Sequence, residues 1–191
     1  MSGVLEPALS FRRLARADFP LLQSWLATAH VARWWADDPS LDAIEATYGG
    51  NVDGTEPSEV FVVLADGQPV GLAQRYRIAS YPDDLAALAA LLQIVDGAGS
   101  IDYLLGPPDV LGRGWSAPMI RAFVAMVWHD APAMPELIVP VHAHNRASWR
   151  ALEQAGFARV ASGPLEPDNP TDSRDHFVYR LTRPAPSPLP R

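Results

Sequence analysis

Residues 100–157 read SIDYLLGPPDVLGRGWSAPMIRAFVAMVWHDAPAMPELIVPVHAHNRASWRALEQAGF, and their order decides the fold. Ile101 to Leu105 is an apolar run that reads as a buried strand, and LGRGWS, Leu111 to Ser116, is a glycine-containing turn. Ala117 to His129 then places Ile120, Phe123, Val124 and Val127 on one face of a helix, and LIVPVHA reads as the next strand. Asn145 opens NRASWRALEQAGF, a second helix over Ser148 to Gln154 that Ala155 and Gly156 close. A helix entered through a tight turn presents unpaired N–H groups and the positive end of its dipole. Two such entries side by side suggest a seat for a long phosphorylated ligand, where the turn alone could be an ordinary strand-to-helix turn whose glycines only permit the bend. Pro140, inside the second strand, cannot donate to a ladder and marks an edge, a bulge or a splayed strand.

On the N-terminal side, Ala8 to Ala15 reads as a first strand, and Asp18 caps a helix whose apolar face carries Phe19, Leu22, Trp25 and Leu26. After HVARWW, Ser40 caps a second helix, SLDAIEATYGG, which Gly49 and Gly50 are expected to end. VFVVLADGQPVGLAQRYRI is a hairpin about Asp66-Gly67. Ser80 to Ala98 is ambiguous. Asp83 and Asp84 suit the cap of a short helix, DLAALAALLQI, whose apolar residues form a run, so packing under the sheet and packing against a partner chain both stay open. Beyond Phe157, which starts a further strand, a polar loop PLEPDNPTDSRD leads to a last strand, HFVYRL, and RPAPSPLPR is expected to be disordered. The order predicts an α/β (α+β) chain: a mixed sheet of six to seven strands with helices on both faces, one domain over residues 1–183 and a tail at 184–191.

A length of 191 residues suits one domain with a sizeable core. A net charge of -7 argues against nucleic acid as a partner, because phosphate binding needs clustered Lys and Arg, and the chain has no lysine. The acidic balance is compatible with a cationic substrate and equally with simple solubility. The absence of cysteine removes disulfides, thiolate metal sites and a cysteine nucleophile together. No leader pattern opens the chain and no apolar stretch approaches the roughly 20 residues of a membrane span, so a cytoplasmic protein that does not engage a membrane is expected.

These motifs resemble the GCN5-related N-acetyltransferase (GNAT) superfamily, and within it the aminoglycoside 6'-N-acetyltransferases. The superfamily turn Q/R-x-x-G-x-G/A finds its counterpart in Leu111, Gly112, Arg113, Gly114, Trp115 and Ser116, which keep the central glycine and depart at both ends. HVARWW, Tyr48, GLAQRY, SIDYLLG and NRASWRALEQAGF carry the likeness to the aminoglycoside group, across Phe11 to Arg183. The resemblance implies a mostly antiparallel sheet splayed between its fourth and fifth strands, and direct acetyl transfer from acetyl-CoA to a primary amine. Coenzyme A would lie against backbone at Tyr103, Leu104 and Leu105, its pyrophosphate on Leu111 to Ala117, with Asn145 and Ser148 beside it. Asp102 matches the carboxylate that binds the attacking ammonium and takes its proton; an ordinary aspartate is a weak base, so burial must raise it or it mainly orients the amine while water carries the proton, and orientation with a water relay is the favoured reading. Trp35, Tyr48 and Gln74, with Asp102, match substrate-contacting positions.

Three departures stand beside the likeness. Leu152 occupies the place of a last-helix tyrosine that protonates the leaving thiolate in many relatives; a thiolate of this kind can leave without an enzyme acid, and Ser148, one turn earlier, could donate weakly but is read as bonding back to its own helix. Pro140 replaces a substrate-binding aspartate. With Leu111, these apolar positions keep a non-catalytic acyl-CoA or drug-binding module as one alternative. Lysine or hydroxylysine N-acyltransferases of siderophore assembly are another, though histidine tends to stand there in place of Asp102. Asp83, Asp84, Asp168 and Asp172 read as solvated turn residues that could rim a pocket, and Trp34 as core. His142 and His144 share a strand face without a third ligand, so no metal is expected. The partner is a small-molecule amine; monomer and homodimer both remain open.

Overall fold

Asp66 and Gly67 both adopt positive φ, 51° and 78°, the geometry of a two-residue hairpin turn whose twist matches its flanking strands. In the computed structural model, which describes residues 7–185, that turn joins β2 (Glu59–Ala65) to β3 (Gln68–Arg77). They belong to a seven-stranded sheet with β1 (Leu9–Arg13), β4 (Gly99–Leu105), β5 (Glu136–His142), β6 (Ala158–Pro164) and β7 (Asp175–Thr182), in the order β1-β2-β3-β4-β5-β7-β6. All neighbours are antiparallel except β4 and β5, which are parallel and joined at one pair, Gly99 and Leu137. The sheet therefore opens along β4 and β5 toward their C-terminal ends. Pro140 belongs to this central strand, so the edge reading fails and the splay explains it. Its register with Val178 of β7 is continuous, and the β4 side carries no ladder there for a missing N–H to break.

Alternation assigns the two faces. Val60, Val62, Leu72 and Leu104 pack under α1 (Phe19–Leu26), α2 (Ala29–Trp35) and α3 (Leu41–Asp53). Phe61, Val63, Ala73, Ile101, Val139 and Val141 pack under α5 (Ser116–Asp130) and α6 (Arg146–Gln154), around Phe123, Val127 and Leu152. Asp102 shares parity with Leu104 and so faces the α1–α3 side, while Tyr103 leans on the α5–α6 core.

Four expectations need correction. HVARWW lies in α2, a helix too short for its periodicity to show, and Ala36 closes it in the left-handed conformation (φ 49°). The helix α3 runs through Gly49 and Gly50 to Asp53 and stops at Gly54 (φ 72°), because the glycine pair makes room for side chains lying over it, Glu45 on Gly49 and Glu56 on Gly50. Asp18 accepts from the Ala15 amide and from Arg12, with no cap bond to α1. Asp83 and Asp84 lie inside α4 (Pro82–Ala89), which starts from Tyr81 with proline at its first position. Leu88, with Leu85, Leu91, Leu92 and Ile94, packs on Ile138, Leu165 and Val178 of the chain's own sheet, so the apolar run is not left for a partner chain. Among the described residues no helix is long and apolar enough to cross a membrane. Of the proline-rich tail, residues 186–191 lie outside the described residues.

Candidate active site

The opened gap between β4 and β5 continues into a cavity of about 580 Å³ that Asp102, Tyr103, Pro140, Val141, Asn145 and Ser148 line from the sheet and α6. Asp102 is half-buried there. Gln74 stands opposite it in the β3–β4 register, and its Nε2 donates to Asp102 Oδ2 at 2.7 Å. Burial pushes the Asp102 carboxyl up to about 6, and the charges of Asp168 and Asp84 add to the rise. Hydrogen bonds from Gln74 and the Tyr76 phenol pull the other way. Burial therefore makes the Asp102 carboxylate more basic than an ordinary aspartate.

Over Asp102, the α1–α4 side supplies aromatic and acidic groups. Trp34 and Trp35 are both half-buried and both line the cavity, so Trp34 is not core. Tyr48 is buried and its hydroxyl donates to Asp37 Oδ2 at 2.9 Å; burial, and then the Asp37 charge, push the phenol well above its usual range. Asp37, Asp84 and Asp168 line the same space, and each is held above the ordinary carboxylate range, by burial first. Asp168 is raised further by Asp37 and Asp84, and Asp84 by Asp83. Asp84 and Asp168 keep solvent contact as rim residues. No ion pair among the described residues engages Asp37, Asp84, Asp102 or Asp168. Asp172 differs: it pairs with Arg33 at 2.6 Å and falls below the usual range.

Around the other wall, Gly112 (φ 73°) and Gly114 (φ 77°) hold the turn before α5 in the left-handed region, and a Cβ on either would meet nothing within 4 Å. The amides of Arg113, Gly114 and Trp115 donate to no acceptor among the described residues, and α5 begins without a side-chain cap. That leaves an open cradle of donors, chemically suited to a pyrophosphate. Arg113 is tied back, its Nε donating to the Asp109 carbonyl at 2.8 Å. Leu111 is exposed, Ser116 opens α5, Ala117 is buried, and Leu104 is buried in the α1–α3 core. The Leu105 carbonyl already accepts from His30 Nε2 at 2.9 Å.

Asn145 caps α6, its Oδ1 accepting from the Ser148 amide at 3.2 Å. The Ser148 hydroxyl does not turn back to its own helix as the sequence suggests; it pairs with the Tyr103 hydroxyl at 2.9 Å. His142 uses both ring nitrogens, Nδ1 accepting from the His144 amide and Nε2 bonding the Ser173 carbonyl, which leaves none for a metal. No metal-binding group exists among the described residues. Tyr76 and Asp37 escaped the sequence. Tyr76 lies two residues from Gln74 on the same strand face, a signal the alternation carries, whereas the place of Asp37 depends on the unrecognised α2.

Comparison with known proteins gives a consistent result. The family model described as acetyltransferase (GNAT) domain matches residues 15–165. Aminoglycoside N(6')-acetyltransferase type 1 of Klebsiella pneumoniae, and the protein of the same name from Serratia marcescens, are each 26% identical over 166 residues, covering 85% of this chain and 80% of each relative. The crystal structure of an aminoglycoside acetyltransferase with coenzyme A and kanamycin superposes with a TM-score of 0.78 at 24% identity, over 92% of this chain and 95% of that one. Spermidine N-acetyltransferase from Vibrio cholerae, solved with CoA and spermine, gives 0.69 at 16% identity, over 91% and 95%.

Proposed function

The chain belongs to the acetyltransferase (GNAT) domain family, and on that premise we propose that it acetylates a primary amine of a polycationic acceptor, an aminoglycoside at its 6'-amine, using acetyl-CoA. The observation that carries this reading is Asp102, raised to about 6 at the floor of a cavity in which Asp37, Asp84 and Asp168 have no ion-pair partner among the described residues, while Asp172 is held by Arg33. An unpaired acidic face favours a ligand of several ammonium groups, and the volume suits an acceptor of several rings. The two aminoglycoside N(6')-acetyltransferase relatives point the same way.

When bound, acetyl-CoA supplies a thioester carbonyl open to amine attack. The amides of Arg113, Gly114 and Trp115 would hold its pyrophosphate, with Leu111, Gly112, Ser116 and Ala117 shaping that turn. Backbone of Tyr103 and Leu104 along the open side of β4, beside Leu105, would hold its arm, and Asn145 the α6 side. Asp102, oriented by Gln74, takes a proton from the acceptor ammonium, and a carboxylate near 6 does this better at neutral pH than an ordinary one near 3.8. Trp35 and Tyr48 wall the acceptor's rings, and Asp37 and Asp168 attract its remaining ammonium groups. A thiol-release assay with acetyl-CoA against aminoglycosides, polyamines and lysine derivatives tests this. Turnover is expected with an aminoglycoside, and turnover with lysine derivatives alone would overturn the acceptor assignment.

A further inference from the structure

Breaking a thioester leaves an electron pair on sulfur, and a positioned donor near that sulfur lowers the barrier. Leu152 is fully buried in the α5–α6 core and has no proton to give. One turn earlier on the same face of α6, at the i, i+4 spacing, stands Ser148. Its hydroxyl meets that of Tyr103, which rises from β4 on the face opposite Asp102 and bridges the opened gap at 2.9 Å. Both residues line the cavity, so the pair is not sealed in the core.

We propose that Tyr103 is the proton donor to the departing sulfur, with Ser148 as its positioning partner. This rests on the acetyl-transfer reading above. The attacking nitrogen forms the C–N bond, the C–S bond breaks with its pair on sulfur, and the Tyr103 O–H proton passes to sulfur to give the thiol. Tyr103 regains a proton from Ser148 in the orientation in which the Ser148 hydroxyl donates to the Tyr103 oxygen, which leaves the Tyr103 O–H free for sulfur. Ser148 is restored through cavity water by the proton shed when the acceptor nitrogen becomes an amide. The proton lost earlier from the ammonium leaves through Asp102, so one proton is released per turnover. Burial keeps the Tyr103 phenol protonated across the neutral range, and the positive end of α6 eases the transient negative charge on its oxygen.

Calorimetry of the wild type and Tyr103→Phe with CoA and with CoA lacking its sulfur tests the contact without turnover. The wild type is expected to favour CoA several-fold, and Tyr103→Phe to bind both alike. Tyr103→Phe should also lower kcat by about 10²-fold with little change in KM for acetyl-CoA. Ser148→Ala, which keeps the ring and its packing, should lower kcat by a smaller factor. A Tyr103→Phe protein that keeps the preference for sulfur, or keeps kcat within about twofold, would overturn the assignment. A wild type that binds neither ligand would instead remove acetyl transfer itself, and the proposal with it.

Discussion

On the α5 side of the gap the groups proposed to face the ligand are amides of neighbouring residues, Arg113 to Trp115, held open by two glycines at positive φ. On the α1–α4 side they are single side chains brought from distant parts of the chain: Asp37 after α2, Tyr48 in α3, Gln74 and Tyr76 in β3, Asp84 in α4, Asp102 in β4 and Asp168 between β6 and β7. Backbone donors survive changes of side chain, which is how Leu111 can stand exposed at the start of the turn. Side-chain recognition has no such tolerance, because each carboxylate acts from one position. The donor seat should therefore respond to changes of backbone conformation and the acceptor wall to loss of single groups, with little crosstalk.

Asp102→Asn gives the largest expected effect: kcat/KM for the amine falls at least about 10²-fold while the calorimetric affinity for CoA is unchanged. An equal loss of CoA affinity would erase the distinction between the walls. The wild-type kcat/KM should fall about tenfold per unit below pH 6, where Asp102 of the free enzyme gains its proton, and Asp102→Asn should lack this limb. Stability runs the opposite way. A folded carboxyl raised from 3.8 to about 6 contributes stability fully present below 3.8 and lost as pH rises through 6. Asp102→Asn should then melt higher than the wild type at pH 7, with the difference closing toward pH 4.

The same contrast explains what the sequence revealed. The elements of the proposed donor wall were legible because they are local: strand, glycine turn and helix follow one another within Gly99 to Asp130, and turn chemistry and periodicity report such neighbours directly. The splay at Pro140 was legible as one of three options, and the sheet order chose among them. The acceptor wall was mostly silent. Asp84 and Asp168 look like solvated turn residues in sequence, and remain solvent-exposed; only their convergence on one cavity gives them a joint field. Ser148 and Tyr103 lie 45 positions apart, so no spacing rule could pair them.

Gly114→Val tests the donor seat. A Cβ there meets open space, so the penalty is conformational: φ 77° costs a β-branched residue about 1–2 kcal/mol. The turn relaxes to negative φ or stays strained, and in either case its amides lose their common aim. CoA affinity should fall about tenfold, which corresponds to 1.4 kcal/mol, and the melting temperature by a few degrees. The dissociation constant of the amine, measured without CoA, should not move. An equal weakening of amine binding would show that the two walls are one mechanical unit.

Asp168→Asn is the smallest and most discriminating change. The residue is solvent-exposed at the rim, pairs with no cation among the described residues, and feels Asp37 and Asp84 across the cavity. An exposed charge contributes on the order of 0.2–1 kcal/mol to a pairing, so KM for a polycationic acceptor should rise only about 1.4- to fivefold with kcat nearly constant. Such a contribution is screened, and the gap between wild type and variant should narrow as salt is raised toward 1 M, where the Debye length is about 3 Å. An acceptor with a single ammonium group engages Asp102 alone and should show no difference between the two proteins. A salt-independent loss, or one that also reaches the single-ammonium acceptor, would mean that Asp168 supports the loop between β6 and β7 and contributes no field to the acceptor wall.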